Sequence, residues 1–209
     1  LFCVGRRTRQ VVLDILTEDY LGWLMSDGLM NYRIFKKRLR CLAHLIRKSK
    51  GLADSLDKET KGFGKRALEV LEFVIEQTRD GPDPTVFKPI LSDFKQLCEW
   101  HRDLTPTGKL RSLAVEFLND WDAIWQVLEN PELPLTNNEA ERALRHWVIA
   151  RQISHGTRTE EGSRVLSVLA SVIETCRRRG VSPWDYLAVV IAERRKGNSA
   201  PPLPLPMAA

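Results

Sequence analysis

Disulfide spacing, long apolar runs and the common nucleotide-binding loops are all missing from this sequence. Cysteine is scarce: Cys3, Cys41, Cys98 and Cys176 are the only four in 209 residues. They are far apart and each has apolar neighbours, which is not the pattern of a disulfide framework. Buried, reduced thiols in a cytosolic protein are the expectation. No stretch approaches the roughly 18 apolar residues that a spanning helix needs, so no membrane span is expected. The opening LFCVGRRTRQ has no signal-peptide layout. It also lacks an initiator Met and starts inside an apolar, strand-like run, so the sequence reads as a piece of a longer chain. There is no P-loop, no G-x-G-x-x-G and no G-x-S-x-G. The composition, 43% hydrophobic and 28% charged, is too apolar for a disordered chain.

What is abundant is basic charge, and it is segregated. The net charge is +5. Residues 31–50 hold eight Lys and Arg and no Asp or Glu. Residues 51–135 hold ten basic and sixteen acidic residues, and residues 136–209 hold eleven basic and seven acidic. Two basic regions flank an acidic middle. Clustered Lys and Arg are the footprint of a phosphate-backbone binder, although a solvated face with cations at helix ends gives the same pattern.

The opening third alternates short apolar runs with helical spacing. Leu1–Gly5 reads as a strand and Thr8–Leu16 as a helix. Leu21–Met25 reads as a short apolar run ended by the turn signal Ser26-Asp27-Gly28, and Asn31–Arg38 as a short helix. Arg40–His44 reads as a strand end running into a helix. Such alternation favours α/β. The middle is different. Phe63–Thr78, Thr85–Arg102 and Leu110–Leu128 read as three amphipathic helices separated by Pro and Gly breaks. Their stripe of Phe94, Phe117, Trp121 and Trp125 reads as core. Thr136 with Glu139 three positions on reads as a capping box that opens a helix through Val148. Ser163–Arg178 repeats the amphipathic pattern with Gly180 as its cap. Ser182-Pro183 opens a last helix that Gly197 closes. The tail Pro201–Pro206 reads as loose.

Two constellations could carry chemistry. Asp27 sits at a strand end, and Glu141 lies one turn into a capped helix beside Arg142 and Arg145. Carboxylates delivered this way suit a two-Mg²⁺ phosphoryl-transfer site, because Mg²⁺ prefers hard oxygen ligands. The bland alternative is a turn Asp and a Glu paired with Arg145 at i+4, worth roughly 0.5 kcal/mol. The second constellation is a pair of C-x-x-H motifs, Cys41/His44 and Cys98/His101, a candidate tetrahedral Zn²⁺ set. Packed or hydrogen-bonded histidines are the alternative there. His146 and His155 have no recognisable partner.

The strings MSDGLMNYR (Met25–Arg33), RCLAHLIRK (Arg40–Lys48) and LTNNEAERALR (Leu135–Arg145) resemble transposases of the insertion sequence 66 family. So do GTRTEEGSR (Gly156–Arg164), SVIETCRRRGVSPWDYL (Ser171–Leu187) and the ERRKG that follows. The resemblance covers nearly the whole chain in order. It implies an α/β, RNase H-like catalytic core, partial in this chain, with a large all-α insertion and C-terminal helices, predominantly helical by content. The implied parts are a core over 1–50, an acidic helical insertion over 51–135, a core helix with C-terminal helices over 136–197, and a tail over 198–209.

The same resemblance implies DNA transposition by a DDE metal triad using two Mg²⁺ ions, with Mn²⁺ as a substitute. Asp27 matches the second Asp and Glu141 the final Glu. Asn137, Asn138, Arg142 and Arg145 match the box around that Glu, and Cys41 and His44 match a family motif. The first catalytic Asp lies upstream of the segment matching Leu1. Asp14, in a helical run, and Asp19, in the next turn, do not replace it, so this chain alone is expected to be incomplete and inactive. Arg40, Arg47, Lys48, Asn137, Asn138, Arg142, Arg145 and Arg151 are expected to hold DNA. Transposon ends and target DNA are the implied partners, with self-association on DNA and a bacterial cytoplasmic location. A non-catalytic DNA-binding or regulatory fragment of a mobile element is the rival reading.

Overall fold

The computed structural model describes residues 8–205. The strand expected at Leu1–Gly5, Cys3 and the last four residues lie outside the described residues. The described residues divide into two compact units, 8–141 and 142–205. Among the described residues the structure is predominantly helical, with two short strands.

In the larger unit Thr8 caps α1 (Arg9–Ile15) by accepting a hydrogen bond from the Val11 N–H. β1 (Leu24–Ser26) and β2 (Arg38–Arg40) pair in parallel, with Ser26 opposite Arg40. Between them lies a 3₁₀ turn, Met30–Ile34. The helix expected over Asn31–Arg38 is therefore shorter, and its last residue, Arg38, opens β2. β2 runs into α2 (Leu42–Ala53) through Cys41. α3 (Lys58–Asp80) starts at an Asp57 cap and α4 (Pro84–Leu104) at an Asp83 cap.

The run Leu110–Leu128 is not one helix. It divides into α5 (Lys109–Asn119) and α6 (Trp121–Glu129) at Asp120. Asp120 ends one helix and starts the next, yet its carboxylate caps neither. It is 1% exposed and takes three arginines instead. Arg33 Nε lies at 3.0 Å, Arg38 Nη1 at 3.2 Å and Arg40 Nε at 3.2 Å. A buried carboxylate is tolerable only when paired in this way.

One apolar core joins these elements. Leu39 of β2, Leu42 and Leu45 of α2, Val70 and Leu71 of α3, Phe94 of α4, Phe117 of α5 and Ile124 of α6 all belong to it. Phe94, Phe117 and Trp125 of the aromatic stripe lie inside, as the spacing implied, and Trp121 packs half-buried against the core. Phe94 meets Phe117 edge-on at 5.0 Å between centroids, and Phe117 stacks on Trp125 at 6.3 Å. Gly64 lets α3 approach the end of α2: a Cβ there would lie 2.7 Å from the Leu52 carbonyl carbon and closer still to Ala53 N. The sequence-defined boundary at residue 50 falls within α2.

α7 (Asn138–Ile153) begins two residues after Thr136, and its Glu141 N–H bonds the Asn137 carbonyl at 3.0 Å. Asn137 therefore holds the cap position assigned to Thr136 from sequence.

In the smaller unit α8 (Glu160–Arg178) is capped by Thr159, whose hydroxyl accepts from Gly162 N–H at 3.0 Å. Gly180 (φ +67°) follows its end, and the Val181 N–H reaches back to the Cys176 carbonyl at 3.0 Å. This is a left-handed C-terminal closure. Ser182 caps α9 (Pro183–Arg195) as its Ser-Pro pair predicts. The tail is tied rather than loose. The Tyr186 hydroxyl donates to the Pro201 carbonyl at 3.0 Å, and Arg179 bonds the Pro204 carbonyl. Proline carbonyls remain good acceptors although proline has no N–H. Cys41, Cys98 and Cys176 are buried free thiols. No helix is long and apolar enough to cross a membrane among the described residues.

Candidate functional site

The site is built at the carboxyl end of the two-stranded sheet. Because Ser26 and Arg40 are paired, Asp27 and Cys41 leave adjacent strand ends together. The Cys41 N–H donates to the Ser26 carbonyl at 3.0 Å, extending the ladder by one bond. Adjacent strands lie about 4.8 Å apart, so the two residues start as near neighbours. Carboxyl ends of parallel strands are where open α/β sheets place their ligands.

Asp27 is exposed and its Oδ1 accepts from the Leu29 N–H at 3.3 Å. Gly28 has φ +97°, a conformation that suits glycine, and a Cβ there would collide with the Arg40 guanidinium. Arg40 thus lies beneath the Asp27 turn. It is 1% exposed and is held by Asp120 and Glu116. A guanidinium buried and paired in this way is not available to a DNA phosphate, which corrects the expectation for Arg40.

Glu141 reaches the same strand end through a chain of backbone contacts. The Leu42 N–H donates to the Leu135 carbonyl at 3.0 Å, and the Asn137 N–H to Cys41 Sγ at 3.5 Å. These bonds tie the segment before α7 to the start of α2. Glu141, one turn into α7, then places Oε1 3.4 Å from His44 Nε2. One ligand atom from each of Cys41, His44 and Glu141 lies within 4.8 Å of the others. Cys41 is fully buried, while the His44 and Glu141 side chains are 22% and 41% exposed. Asp27 is not a member of this group of three.

The four-residue Zn²⁺ set is not what the structure assembles. Cys41 and His44 are joined by Glu141, not by Cys98 and His101. Cys98 lies in the core, where burial, with the Glu99 charge second, pushes its thiol up to about 12. A thiol held protonated is a poor metal ligand. His101 is also buried, with Nδ1 3.0 Å from the Thr105 hydroxyl and its ring edge-on to Phe63. Burial lowers its pKa against the opposing pull of Glu59.

Of the remaining basic residues, Arg47 is exposed on α2, and Lys48 is exposed with its Nζ 2.7 Å from Glu116. They follow His44 at i+3 and i+4, so they continue its face of the helix. Asn137 is half-buried and its Oδ1 is buried without a hydrogen-bond partner, while Asn138 is exposed. Arg142, Arg145 and Arg151 are exposed on the part of α7 that belongs to the smaller unit. The Arg33/Arg38/Asp120 support and the contact of His44 with Glu141 were not readable from spacing. The only sequence signal for the latter was the Cys-x-x-His motif itself.

The fold is thus a largely helical protein with a small parallel sheet whose strand ends gather a carboxylate, an imidazole and a thiol. The family model described as the IS66 family of transposases matches residues 2–165, and the chain belongs to that family. It is similar to several proteins of Sinorhizobium fredii (strain NBRC 101917 / NGR234), all described as uncharacterized. It is 38% identical to y4jO over 66 residues, 32% of this chain and 21% of that protein. It is 27% identical to y4hP over 172 residues, 73% of this chain and 31% of that protein. It is 21% identical to y4jD over 224 aligned positions, 95% of this chain and 42% of that protein. The chain therefore spans less than half the length of these relatives. No solved structure matches it significantly.

Proposed function

We propose that this chain is the part of a DDE transposase that supplies the second and third carboxylates of the catalytic site, Asp27 and Glu141, on an RNase H-like core. The observation that carries this reading is the tie between α7 and the strand ends. The bonds from Leu42 and Asn137 bring the Glu141 turn to Cys41, next to the strand end that Asp27 leaves. Both carboxylates are open to solvent, which suits a hard ion that keeps part of its water shell. Asp27 and Glu141 would hold two Mg²⁺ ions, or Mn²⁺ in their place. When bound, the ions' contribution is to activate the attacking oxygen and to stabilise the leaving one.

A parallel pair of three-residue strands does not bury both its faces by itself. The longer protein is proposed to add a strand beside β1 and to bring the first Asp on it. Arg47 and Lys48 extend the site's face along α2, and Arg142, Arg145 and Arg151 line α7; all five would contact DNA phosphates. Asn137 and Asn138 would position the Glu141 turn and the DNA beside it. Transposition joins paired DNA ends, so the working form is proposed to self-associate on DNA.

The test uses the full-length protein with its element's ends. Asp27→Asn and Glu141→Gln should each lower strand cleavage and transfer by at least about a thousandfold, the loss of several kcal/mol of charge stabilisation, while DNA binding persists. Transposition at a normal rate by the Glu141→Gln protein would refute the assignment. Salt-sensitive DNA binding without metal-dependent cleavage, unchanged by Asp27→Ala, would instead identify a regulatory DNA-binding protein.

A further inference from the structure

The Cys-x-x-His motif is not used by the Mg²⁺ reading, since neither a thiol nor an imidazole suits that ion. Its surroundings give it a different use. Sulfur from Cys41, nitrogen from His44 and oxygen from Glu141 converge within 4.8 Å of one another. Around a tetrahedral Zn²⁺, with bonds of about 2.0–2.3 Å, ligand atoms stand roughly 3.3–3.7 Å apart. The three atoms therefore need to close by no more than about 1.5 Å, within the reach of side-chain rotation for His44 and Glu141.

Two further observations point to a ligand there. The Asn137 N–H donates to Cys41 Sγ at 3.5 Å, so the sulfur is already an acceptor. An N–H donor of this kind is a common outer contact of metal-bound cysteine. His44 Nδ1 is buried without a hydrogen-bond partner, and Asn137 Oδ1, on the same tied segment, is buried without one as well. Buried polar atoms are rarely left unpartnered in a folded protein.

We propose that Cys41, His44 and Glu141 bind one borderline-soft divalent ion, Zn²⁺ by ligand type, with the fourth position open. Binding takes the proton from the Cys41 thiol to solvent and leaves His44 neutral, so no oxidant or reductant is involved. Cys41 supplies the anchor from the strand end, His44 follows three residues later on α2, and Glu141 closes the site from α7. Three protein ligands and an open position are the arrangement of a reactive rather than a purely structural Zn²⁺ site. The site needs only these three residues and does not depend on the Mg²⁺ assignment, although both use Glu141. An ion held here occupies that carboxylate and competes with Mg²⁺ for it.

The test is a Co²⁺ titration of this 209-residue chain under reducing conditions. One equivalent should give the sulfur-to-cobalt charge-transfer band and the visible bands of tetrahedral Co²⁺, and Zn²⁺ but not excess Mg²⁺ should bleach them. Cys41→Ser should abolish the charge-transfer band, Cys98→Ser should leave it, and His44→Gln and Glu141→Gln should each weaken Co²⁺ binding at least about tenfold. Circular dichroism of each variant separates lost binding from lost folding. Absence of the charge-transfer band in the unaltered protein overturns the proposal whatever the variants do. So does a band that survives Cys41→Ser, or an affinity unchanged in a folded Glu141→Gln protein. The two readings fail separately. Cleavage that needs Glu141 in a protein without the cobalt band leaves the transposase site standing, and a cobalt band in a protein that never needs Glu141 for cleavage leaves only the Zn²⁺ site.

Discussion

Asp120 and Arg40 are each about 1% exposed, and each would be costly alone. The arrangement works because Asp120 faces Arg33, Arg38 and Arg40 at once, and Glu116 takes the other side of Arg40. Removing Asp120 strips the buried Arg40 of one of its two carboxylate partners. Asp120→Ala is therefore expected to lower unfolding free energy by about 3–5 kcal/mol, measured by denaturant titration. Lys48 also pairs with Glu116, but its side chain is 48% exposed. Lys48→Ala should cost less than about 1 kcal/mol in the same assay. Because Arg40 also lies beneath Gly28, loosening this cluster should disturb the Asp27 turn before it disturbs α7.

At the scale of elements, α3 offers a paired test within one helix. Gly64 faces the backbone of Leu52 and Ala53, whereas a Cβ at Gly62 meets nothing within 4 Å. Gly64→Ala should destabilise by about 1–3 kcal/mol through overpacking. Gly62→Ala should stabilise by up to about 1 kcal/mol through helix propensity. Equal effects from the two would refute the close approach of α2 and α3.

The helix caps set the acid response. Hydrogen bonds from Thr60 and Thr85 hold the Asp57 and Asp83 carboxyls below their ordinary value of 3.8. A carboxyl lowered in the fold stabilises it above the unfolded value, and that contribution is lost as pH falls through the folded value. His101 acts earlier. Burial lowers its pKa from the ordinary 6.5, so the fold prefers the neutral ring. Its contribution is complete above 6.5 and is lost progressively as pH falls below it. The denaturation midpoint should therefore decline in two stages on acidification, and His101→Gln should flatten the first. A first stage unchanged in His101→Gln would remove that assignment.

For the whole molecule, the placement of basic side chains decides what DNA could feel. Arg47, Arg142, Arg145 and Arg151 are exposed, and Arg40 is interior. If the first four contact phosphates, each substitution to Ala should lower the salt slope of DNA binding by about 1. Arg40→Ala should show itself as lost stability instead. A salt slope insensitive to all four would leave the basic charge of the flanking regions as an ordinary solvated face.

The sequence specifies most helices, because their signals are local. Apolar spacing, the Ser182-Pro183 start and the glycines at 180 and 197 act within a few residues and need no distant partner. It also determined that Phe94, Phe117 and Trp125 are core, since a stripe of that bulk has no stable place in water. Family membership was readable from short strings for the same reason. The three-dimensional packing set the rest. It broke Leu110–Leu128 at Asp120, because arginines some 80–87 residues earlier claim that carboxylate. It moved Arg40 from a surface role to an interior one, and it replaced the Cys98/His101 pair with Glu141 beside Cys41 and His44. Those outcomes depend on which atoms meet across about a hundred residues of chain. Periodicity and spacing carry no record of such meetings, since they describe only how each segment folds along its own length.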